Sequence, residues 1–590
     1  MSAREAFETI SHEVDFCVVG GGMAGLTAAI SAARHGARVL LMQDRPVFGG
    51  NASSECRVHV CGADRHNRIP NLRETGILEE MRLENLYRNA QRSFAVWDTV
   101  LYEKARYQEN LSLLLNCSCL DAEMDGDAIV SVTGWQGTTQ TRHVVRAKVF
   151  ADCSGDGILA PLTGAEFRVG REAAGEFGES IVPAKADRRT MGMSCCFSAR
   201  PHDRPMPFVP PAWAYRFDKC TDLPYGGRPD SHDWWEMGYW WIELGGMHDS
   251  IRDTEMLRDE LLKVTYGVWD HIKNRCPAHR EAAANWAMEW LQFLPAKRES
   301  RRFVGDHILN QRDIEAEGRF DDLVAYGGWT MDDHDPEGFW AVRVARPATV
   351  FHPSPSPFGI PYRCLYSRNV RNLMFAGRNA SCTHAAMSST RVMGTCSSMG
   401  QAVGAAAAVA VAKGVSPRDV GSSVRELQQM LLRDDAYLPW VKMAYSDLTM
   451  KARLSASQGD ASPVRDGIHR LVGKDAHSWA WGAGDHVEYT FDSPRPVAEA
   501  SLVVDSALDK LITLSHHQRD NQLSAPPREL PRRLRLDVLR GGRWETVAAV
   551  AENRSRLVRV PVGGSVGGVR VTLEETWGAD RSQLFAFWLD

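Results

Sequence analysis

Long apolar runs are missing from this chain of 590 residues. No stretch approaches the ~20 residues of a membrane-spanning helix. The longest, Ala402 to Ala412, is alanine-rich and reads as a buried helix, so no membrane partner is expected. The opening segment, MSAREAFETISHEVDF, lacks the apolar core of an export signal, and a cytoplasmic location is the expectation. Charge of one sign is missing too. Lys and Arg number 69 against 74 Asp and Glu, net −5, with no long basic stripe, so nucleic-acid binding is not indicated. There is no internal repeat and no low-complexity tract, which excludes a solenoid or a long disordered tail. Thirteen cysteines are scattered without pattern. An odd number without an export signal reads as reduced thiols. No His/Cys set has the spacing of a zinc site, and no metal is expected.

What is present begins near the start. Phe16 to Val19 reads as a short buried strand, Ala24 to His35 as a helix that Gly36 can end, and Arg38 to Met42 as a second strand. Between the first strand and the helix, Gly20, Gly22 and Gly25 stand in G-x-G-x-x-G spacing. In that context the first glycine permits a tight turn, the second lets backbone approach a pyrophosphate, and the third lets helix and strand pack closely. The helix N-terminus adds free N–H groups for the phosphates. The second strand ends in Gln43 where an acid is expected to hold the ribose. Gln43 can still bond a hydroxyl, and Asp44 can substitute.

Residues 110 to 150 alternate around turn signals as a β meander would, with strands at Leu111–Leu120, Ala128–Trp135 and Thr139–Arg146. The apolar run of KVFADCSGDG (148 to 157) then enters a small polar loop. Residues 200 to 345 carry ten of the eighteen tryptophans and a clear helical pattern from Thr254 to Lys273. Most of these rings read as core, although aromatic walls beside charges also suit a sugar ring. RNLMFAGRNASCTHAAMSSTRVMGTCSSMGQAVGAAAAVAVAKG (371 to 414) predicts a strand at Leu373–Ala376, a tight loop at Gly377–Arg378, and a small-residue helix from about Gly394 to Lys413. That helix suits close packing on the nucleotide unit, so the nucleotide fold reads as interrupted by an insertion. Beyond residue 460, short alternating runs between turns predict an antiparallel sandwich.

Four segments, VVGGGMAGLTAA, LLMQDRPVFGGNASSE, VFADCSGDG and NLMFAGRNASCTHAAMSSTRVMGTCSSMGQAVGAAAA, together resemble the FAD-dependent oxidoreductases of glutathione-reductase type, most closely the FAD_oxidored group. The resemblance covers about residues 12 to 435. The C-terminal part resembles galactose-binding-like sandwiches in texture. The implied fold is α/β: a Rossmann-like FAD-binding domain (1–160 and 350–435) with an inserted α+β substrate domain (161–349), a linker (436–459) and an antiparallel β-sandwich (460–590). The implied cofactor is FAD. Its pyrophosphate lies over Gly20, Gly22, Met23, Ala24 and Gly25, with Gln43, Asp44 and Arg45 toward the ribose. Gly49, Gly50, Asn51, Ser53, Ser54 and Glu55 lie by the flavin. Ser154, Gly155 and Asp156 close over the nucleotide, with Cys119 counted among the cofactor contacts, and Gly377 and Arg378 pass the ring. A plain NAD site has no use for the second and fourth segments. There is no second strand-embedded fingerprint, so NAD(P)H is not indicated as the direct reductant. Cys56 and Cys61 share the C-x4-C spacing of flavin disulfide reductases. Cys56 lies six residues past Gly50, too far along to reach the flavin, so both read as buried thiols, as does the Cys195–Cys196 pair.

In such enzymes the cofactor carries the electron chemistry and the protein moves protons. A histidine base suits removal of a hydroxyl proton. His384 is the first candidate through the resemblance, with a titration expected near neutrality. His334, beside Asp332, Asp333 and Asp335, is the second. Arg301 is the leading candidate, with Arg302, Arg363 and Arg391, to clamp a polar or anionic substrate. The expected reaction oxidises an alcohol carbon of a small polar molecule: a sugar, glycoside or cyclitol. A carboxylate, amine or thiol–disulfide substrate is the alternative. The electron acceptor is unknown and a homo-oligomer is open. The sandwich is expected to be dispensable for flavin chemistry.

Overall fold

The computed structural model describes residues 7–225, 232–515 and 522–590. Residues 1–6, the start of the expected FAD-binding domain, lie outside the described residues.

Five short strands form a parallel sheet in the order Leu373–Phe375, Val149–Asp152, Phe16–Val19, Val39–Met42, Leu111–Leu114. Apart from Asp152 the first four are apolar and buried at every position because both faces are covered, while the edge strand Leu111–Leu114 exposes Ser112. With period two, Phe16, Val18, Val39 and Leu41 pack toward helix residues Leu26, Ala29 and Ile30. Cys17, Val19, Leu40 and Met42 pack the other way, onto Ile129, Val132 and Val145. These last belong to a second sheet, in which Thr9–Glu13 runs beside Thr141–Arg146, Ala128–Gln136 and Cys117–Asp125. The meander is thus as the turns indicate, except that the expected Leu111–Leu120 strand is two. Leu111–Leu114 joins the parallel sheet, and Cys117–Asp125 joins the meander.

The helix Met23–Arg34 lies against the helix Met393–Lys413. A Cβ on Gly400 or Gly404 would overlap the carbonyls of Ala24 or Ala28, so only glycine allows this approach. Thr27 and Ser31 donate from their hydroxyls to the carbonyls of Ser397 (2.8 Å) and Gln401 (3.0 Å) across the seam. Met393–Lys413 is long and apolar enough to cross a membrane, but 83% of its apolar window is buried inside the protein.

Between the sheet neighbours Val149–Asp152 and Leu373–Phe375 the chain builds several two- and three-stranded sheets and the helix Thr254–Asp270. This stretch has a core of its own, including Phe197, Phe217, Trp235, Leu261, Val268, Trp269 and Phe339. The helix does not continue to Lys273 as an α-helix. Its last turn, His271–Arg275, widens into a π-helical turn.

The C-terminal part is a two-sheet antiparallel sandwich of five and four strands around Trp481, Tyr489, Leu502, Val538, Val569 and Phe587. Its first strand, Arg453–Ala456, falls in the stretch expected to be a linker. Four residues of alternation are too few to distinguish from a loop. The sandwich has a core of its own and is also seated on an apolar face of the body. Val503, Phe585, Ala586 and Trp588 share one apolar core with Leu431 and Leu438. The fully buried Arg73 pairs with Glu79 (2.7 Å) and donates to the carbonyls of Ser506 (3.1 Å), Ala507 (3.2 Å) and Lys510. From the other side, Arg470 donates to the carbonyls of Asn71 (2.9 Å) and Arg73 (3.2 Å). Removing the sandwich would leave Arg73 with Glu79 but short of its carbonyl acceptors, and would leave the carbonyls of Asn71 and Arg73 without the Arg470 donor.

Candidate active site

The glycine loop divides its labour. Gly20 has φ 102°, and a Cβ there would come within 2.5 Å of the Cys153 carbonyl and Ser154 Cα. A Cβ on Gly25 would overlap the Gly20 carbonyl. Gly22 differs: its φ of −65° suits any residue, and a Cβ would meet nothing within 4 Å. It faces open space at the N-terminus of Met23–Arg34, where no side chain caps the first-turn N–H groups of Met23 and Ala24. That combination of open approach and free donors fits a pyrophosphate. Gly49 and Gly50, at φ 102° and 58°, lie alongside through a parallel bridge from Gly49 to Gly22. Asn51 Nδ2 reaches the Lys297 carbonyl (3.1 Å). Ser53 Oγ donates to the Gly50 carbonyl (2.7 Å), and the Ser54 N–H donates to Asp98 (3.1 Å). Glu55 is half-buried, and burial raises its pKa.

Gln43 is engaged within the loop itself. Its Oε1 accepts the Gly21 N–H (2.7 Å) and its Nε2 donates to the Val47 carbonyl (3.1 Å). Buried and held at both ends, the amide stiffens the glycine loop. Asp44, exposed beside Arg45 at 3.6 Å, is the acid left at that strand end. Cys119 is a partly buried thiol on the meander, pushed up to about 12 chiefly by burial. The loop that closes on Gly20 is held by the buried Asp152, which accepts from Ser154 Oγ (2.7 Å), the Leu159 N–H (2.7 Å) and Asn379 Nδ2 (3.0 Å). Next to it, Asp156 takes Arg378 at 2.6 Å and Lys297 at 2.8 Å. Burial favours its acid form, but these two cations outweigh it and hold the carboxyl well below its usual range. Through this pair the Gly377–Arg378 loop meets Gly155, where a Cβ would lie 2.9 Å from Arg378 Nε. The second, third and fourth segments therefore converge on the fingerprint, and they fit FAD.

Both candidate histidines lie in one buried polar cluster. His384 opens the helix His384–Thr390, with Nδ1 on Glu299 (2.8 Å) and Nε2 on Asp333 (3.0 Å). Burial opposes its charge, but Glu299 and Asp333 outweigh burial and raise its pKa to about 10. It stands as an imidazolium, so the titration near neutrality expected of it moves far to the alkaline side. His334 has Nδ1 on Glu243 (2.6 Å) and Nε2 between Arg391 (2.8 Å) and Asp332 (3.4 Å). Here too burial opposes the charge, and Glu243 and Asp332 raise the pKa. Arg391 pairs with Asp332 (3.1 Å), Arg298 with Glu243 (3.4 Å), and Arg302 with Glu172 (3.1 Å) and Glu299 (3.6 Å). Five buried side-chain atoms here make no hydrogen bond: Asp332 Oδ1, Glu299 Oε1, Arg302 Nε, Arg391 Nε and Trp329 Nε1. Asp332 Oδ1 still lies in an ion pair with His334 (3.4 Å), and Glu299 Oε1 in one with Arg302 Nε (3.6 Å), which leaves Arg391 Nε and Trp329 Nε1 as the two donors with no such partner. Trp329 also accepts the Ser389 hydroxyl at its carbonyl (2.6 Å), which ties it to the His384 helix.

Arg301 is not part of this cluster. Its guanidinium donates to the Asp156 carbonyl (3.2 Å) and covers the Phe167 ring. Its neighbour Arg302 points inward, because successive residues of an extended segment face opposite ways. Arg363 pairs with Asp322 at a half-exposed position away from the histidines. Glu243 and Glu299, which hold the two rings, carried no sequence signal beyond lying near the tryptophan- and arginine-rich stretches.

Cys56 Sγ faces the Leu294 carbonyl (3.5 Å), while Cys61 Sγ faces His66 Nε2 (3.3 Å). Burial pushes both thiols up, Cys61 to about 12. Neither is poised as a thiolate nucleophile. Replacing both by serine is expected to leave the rate of flavin reduction by substrate within a few fold. Loss of turnover with an unchanged flavin spectrum would restore a dithiol mechanism. The absence of zinc-type spacing does not keep ligand-type side chains apart. Cys220, His232, His271 and Cys276 come from separate parts of the inserted stretch, and their ligand atoms lie within 4.8 Å of one another. Long-range proximity of this kind leaves no trace in spacing.

The pattern of the family described as FAD dependent oxidoreductase matches residues 15–431. A curated relative, the fumarate reductase (cytochrome) of Shewanella frigidimarina, is 59% identical over 50 residues, which is 8% of this chain and 9% of that protein. The match thus spans under a tenth of the relative's length. Among solved structures, a geranylgeranyl bacteriochlorophyll reductase-like protein of Thermoplasma acidophilum is 12% identical over 72% of this chain and 86% of its own, with a TM-score of 0.32. A family 32 carbohydrate-binding module of Streptococcus pneumoniae EndoD is 11% identical over 25% of this chain and 99% of its own, with a TM-score of 0.19.

Proposed function

The chain belongs to the family of FAD-dependent oxidoreductases, and we propose that it oxidises a hydroxyl-bearing carbon of a small polar molecule, a sugar, glycoside or cyclitol, in the His334–His384 cluster. The observation that supports this reading is a set of three buried polar atoms that make no hydrogen bond, one of them in an ion pair. Asp332 Oδ1 is a buried acceptor whose one close cation is His334 at 3.4 Å, and Arg391 Nε and Trp329 Nε1 are buried donors. A ligand that both donates and accepts, and has a face for an aromatic wall, suits them together. Hydroxyl groups on a ring meet that description. A carboxylate substrate suits the cluster less well. With His334 in its base form, five carboxylates, Glu172, Glu243, Glu299, Asp332 and Asp333, face four cations, Arg298, Arg302, Arg391 and the His384 imidazolium, so no positive charge is left over for an anion.

FAD, when bound, supplies the hydride acceptor at its N5. The proton falls to the chain. Nε2 of His334, once the substrate hydroxyl displaces Arg391 from it, takes the proton, while Glu243 on Nδ1 fixes the ring and steadies the charge that develops. His384 keeps its proton and acts as a fixed cation and donor, held by Glu299 and Asp333. The raised pKa of His334 puts its base form on the alkaline side of 6.5.

The test is anaerobic mixing of the oxidised holoenzyme with polyols, glycosides and cyclitols in parallel with hydroxyacids, amines and dithiols. Bleaching of the flavin by members of the first group is expected. Bleaching only by an amine or a dithiol would replace this reading with the other substrate class.

A further inference from the structure

We propose that Cys220, His232, His271 and Cys276 form a structural zinc site in the inserted stretch. The four ligand atoms all lie within 4.8 Å of one another. Cys220 Sγ and Cys276 Sγ are 3.7 Å apart, and His232 Nε2 is 3.2 Å from Cys276 Sγ. Tetrahedral zinc, with Zn–S of about 2.3 Å and Zn–N of about 2.0 Å, sets its ligand atoms roughly 3.3–3.8 Å apart. The two sulfurs are too distant to be bonded to each other, since a disulfide needs about 2.05 Å. They are as close as two sulfurs sharing one ion.

His271 supplies a separate line of evidence. It is fully buried. Its Nδ1 lies 2.9 Å from the Phe217 carbonyl, to which only a protonated nitrogen can donate. That fixes the tautomer and leaves the lone pair on Nε2, which has no hydrogen-bond partner. An imidazole with one nitrogen tied to a carbonyl and the other bare is the usual state of a metal-ligating histidine. The backbone is also shaped for it. His271–Arg275 is a π-helical turn, in which the Cys276 N–H bonds the His271 carbonyl (2.6 Å). The wider turn presents His271 and Cys276 to one point, and such turns recur at functional sites. Cys220 opens a short 3-10 turn on a different segment.

Two thiols and two imidazoles without an open position suit zinc and a structural role. The site would join three segments separated in sequence. One of them runs from His232 through Trp235 and Tyr239, whose Nε1 and hydroxyl both donate to the His232 carbonyl (3.0 and 3.1 Å), toward Glu243. The ion would therefore brace the strand that carries the partner of His334 without touching the reaction.

The full-length holoprotein, expressed with added zinc and purified without chelator, is expected to carry about one zinc per chain. Cys220→Ser and His271→Ala should each lower that content severalfold with FAD retained. Because either variant can also fail to fold, wild-type protein stripped by chelator should be titrated with Co(II). A tetrahedral ligand-field spectrum with a sulfur charge-transfer band is the expected signature, displaced by Zn(II). Zinc well below one per chain together with no Co(II) spectrum overturns the proposal. Full zinc content in folded Cys220→Ser and His271→Ala proteins overturns it as well, by putting the ion elsewhere. A mapped Cys220–Cys276 disulfide does the same.

Discussion

Gly22→Val is expected to give a folded, colourless protein. The backbone at this position is already in a conformation open to every residue, and a new Cβ meets no protein atom within 4 Å. Folding should therefore tolerate the change, with a circular dichroism spectrum and melting transition close to those of the wild type. The space that the new side chain enters is the one through which a pyrophosphate must reach the uncapped N–H groups of the helix Met23–Arg34. FAD content after reconstitution should fall to background. Gly25→Val is the contrasting control: its Cβ would overlap the Gly20 carbonyl, so that variant should fail to fold. A yellow Gly22→Val protein with a normal flavin spectrum would mean that the dinucleotide lies elsewhere.

Removing the proposed base is expected to have the next largest effect. His334→Ala should keep FAD and slow flavin reduction by about 10²–10⁴-fold, the range of a positioned acid–base group. In the wild type the rate should rise with pH as His334 loses its proton above 6.5, and this rise should vanish in the variant. His384→Gln should behave differently. The pKa of His384 is raised from 6.5 to about 10, so the stability it contributes is complete below 6.5 and is lost as pH rises through 10. The variant should be less stable than the wild type at neutral pH, and the gap should close on the alkaline side. Asp332 and Asp333 are shifted the other way: burial opposes their charge, but His334 outweighs it at Asp332 and His384 at Asp333. Their contribution is present above 3.8 and is lost as pH falls below it. If His384→Gln abolishes the pH dependence of reduction and His334→Ala leaves it intact, the two roles are reversed.

The contrast between these two regions shows what a sequence can disclose. The glycine loop is legible because its constraints are local: a turn, a close approach and a helix start within six residues. The strand Phe16–Val19 is found where the apolar run puts it, and the small-residue helix starts one residue earlier than read. Gln43 has a further role that spacing does not reveal: its buried amide bonds Gly21 and Val47, and only the fold shows it. Arg301 and Arg302 are adjacent and chemically identical. Which of them turns inward depends on the phase of a two-residue strand, Arg302–Phe303. The cluster assembles from Glu243, Glu299, Asp332, Asp333, His334, His384 and Arg391, spread over nearly 150 residues. Nothing in the spacing announces it.

The seam between the sandwich and the body bears on how this chain could change over time. Arg73 lies in the body and finds carbonyl acceptors in the sandwich, while Arg470 lies in the sandwich and finds its carbonyls in the body. Each side carries an arginine that takes carbonyl acceptors from the other, although Arg73 also pairs with Glu79 on its own side. A C-terminal module of this kind cannot be shuffled between genes like a bead on a string. A replacement sandwich would have to bring its own match for Arg73, and a borrowed body its own match for Arg470. Because the acceptors are backbone carbonyls, the match lies in the path of the chain on each side, and a substitution of either arginine would leave carbonyls unpaired across the seam.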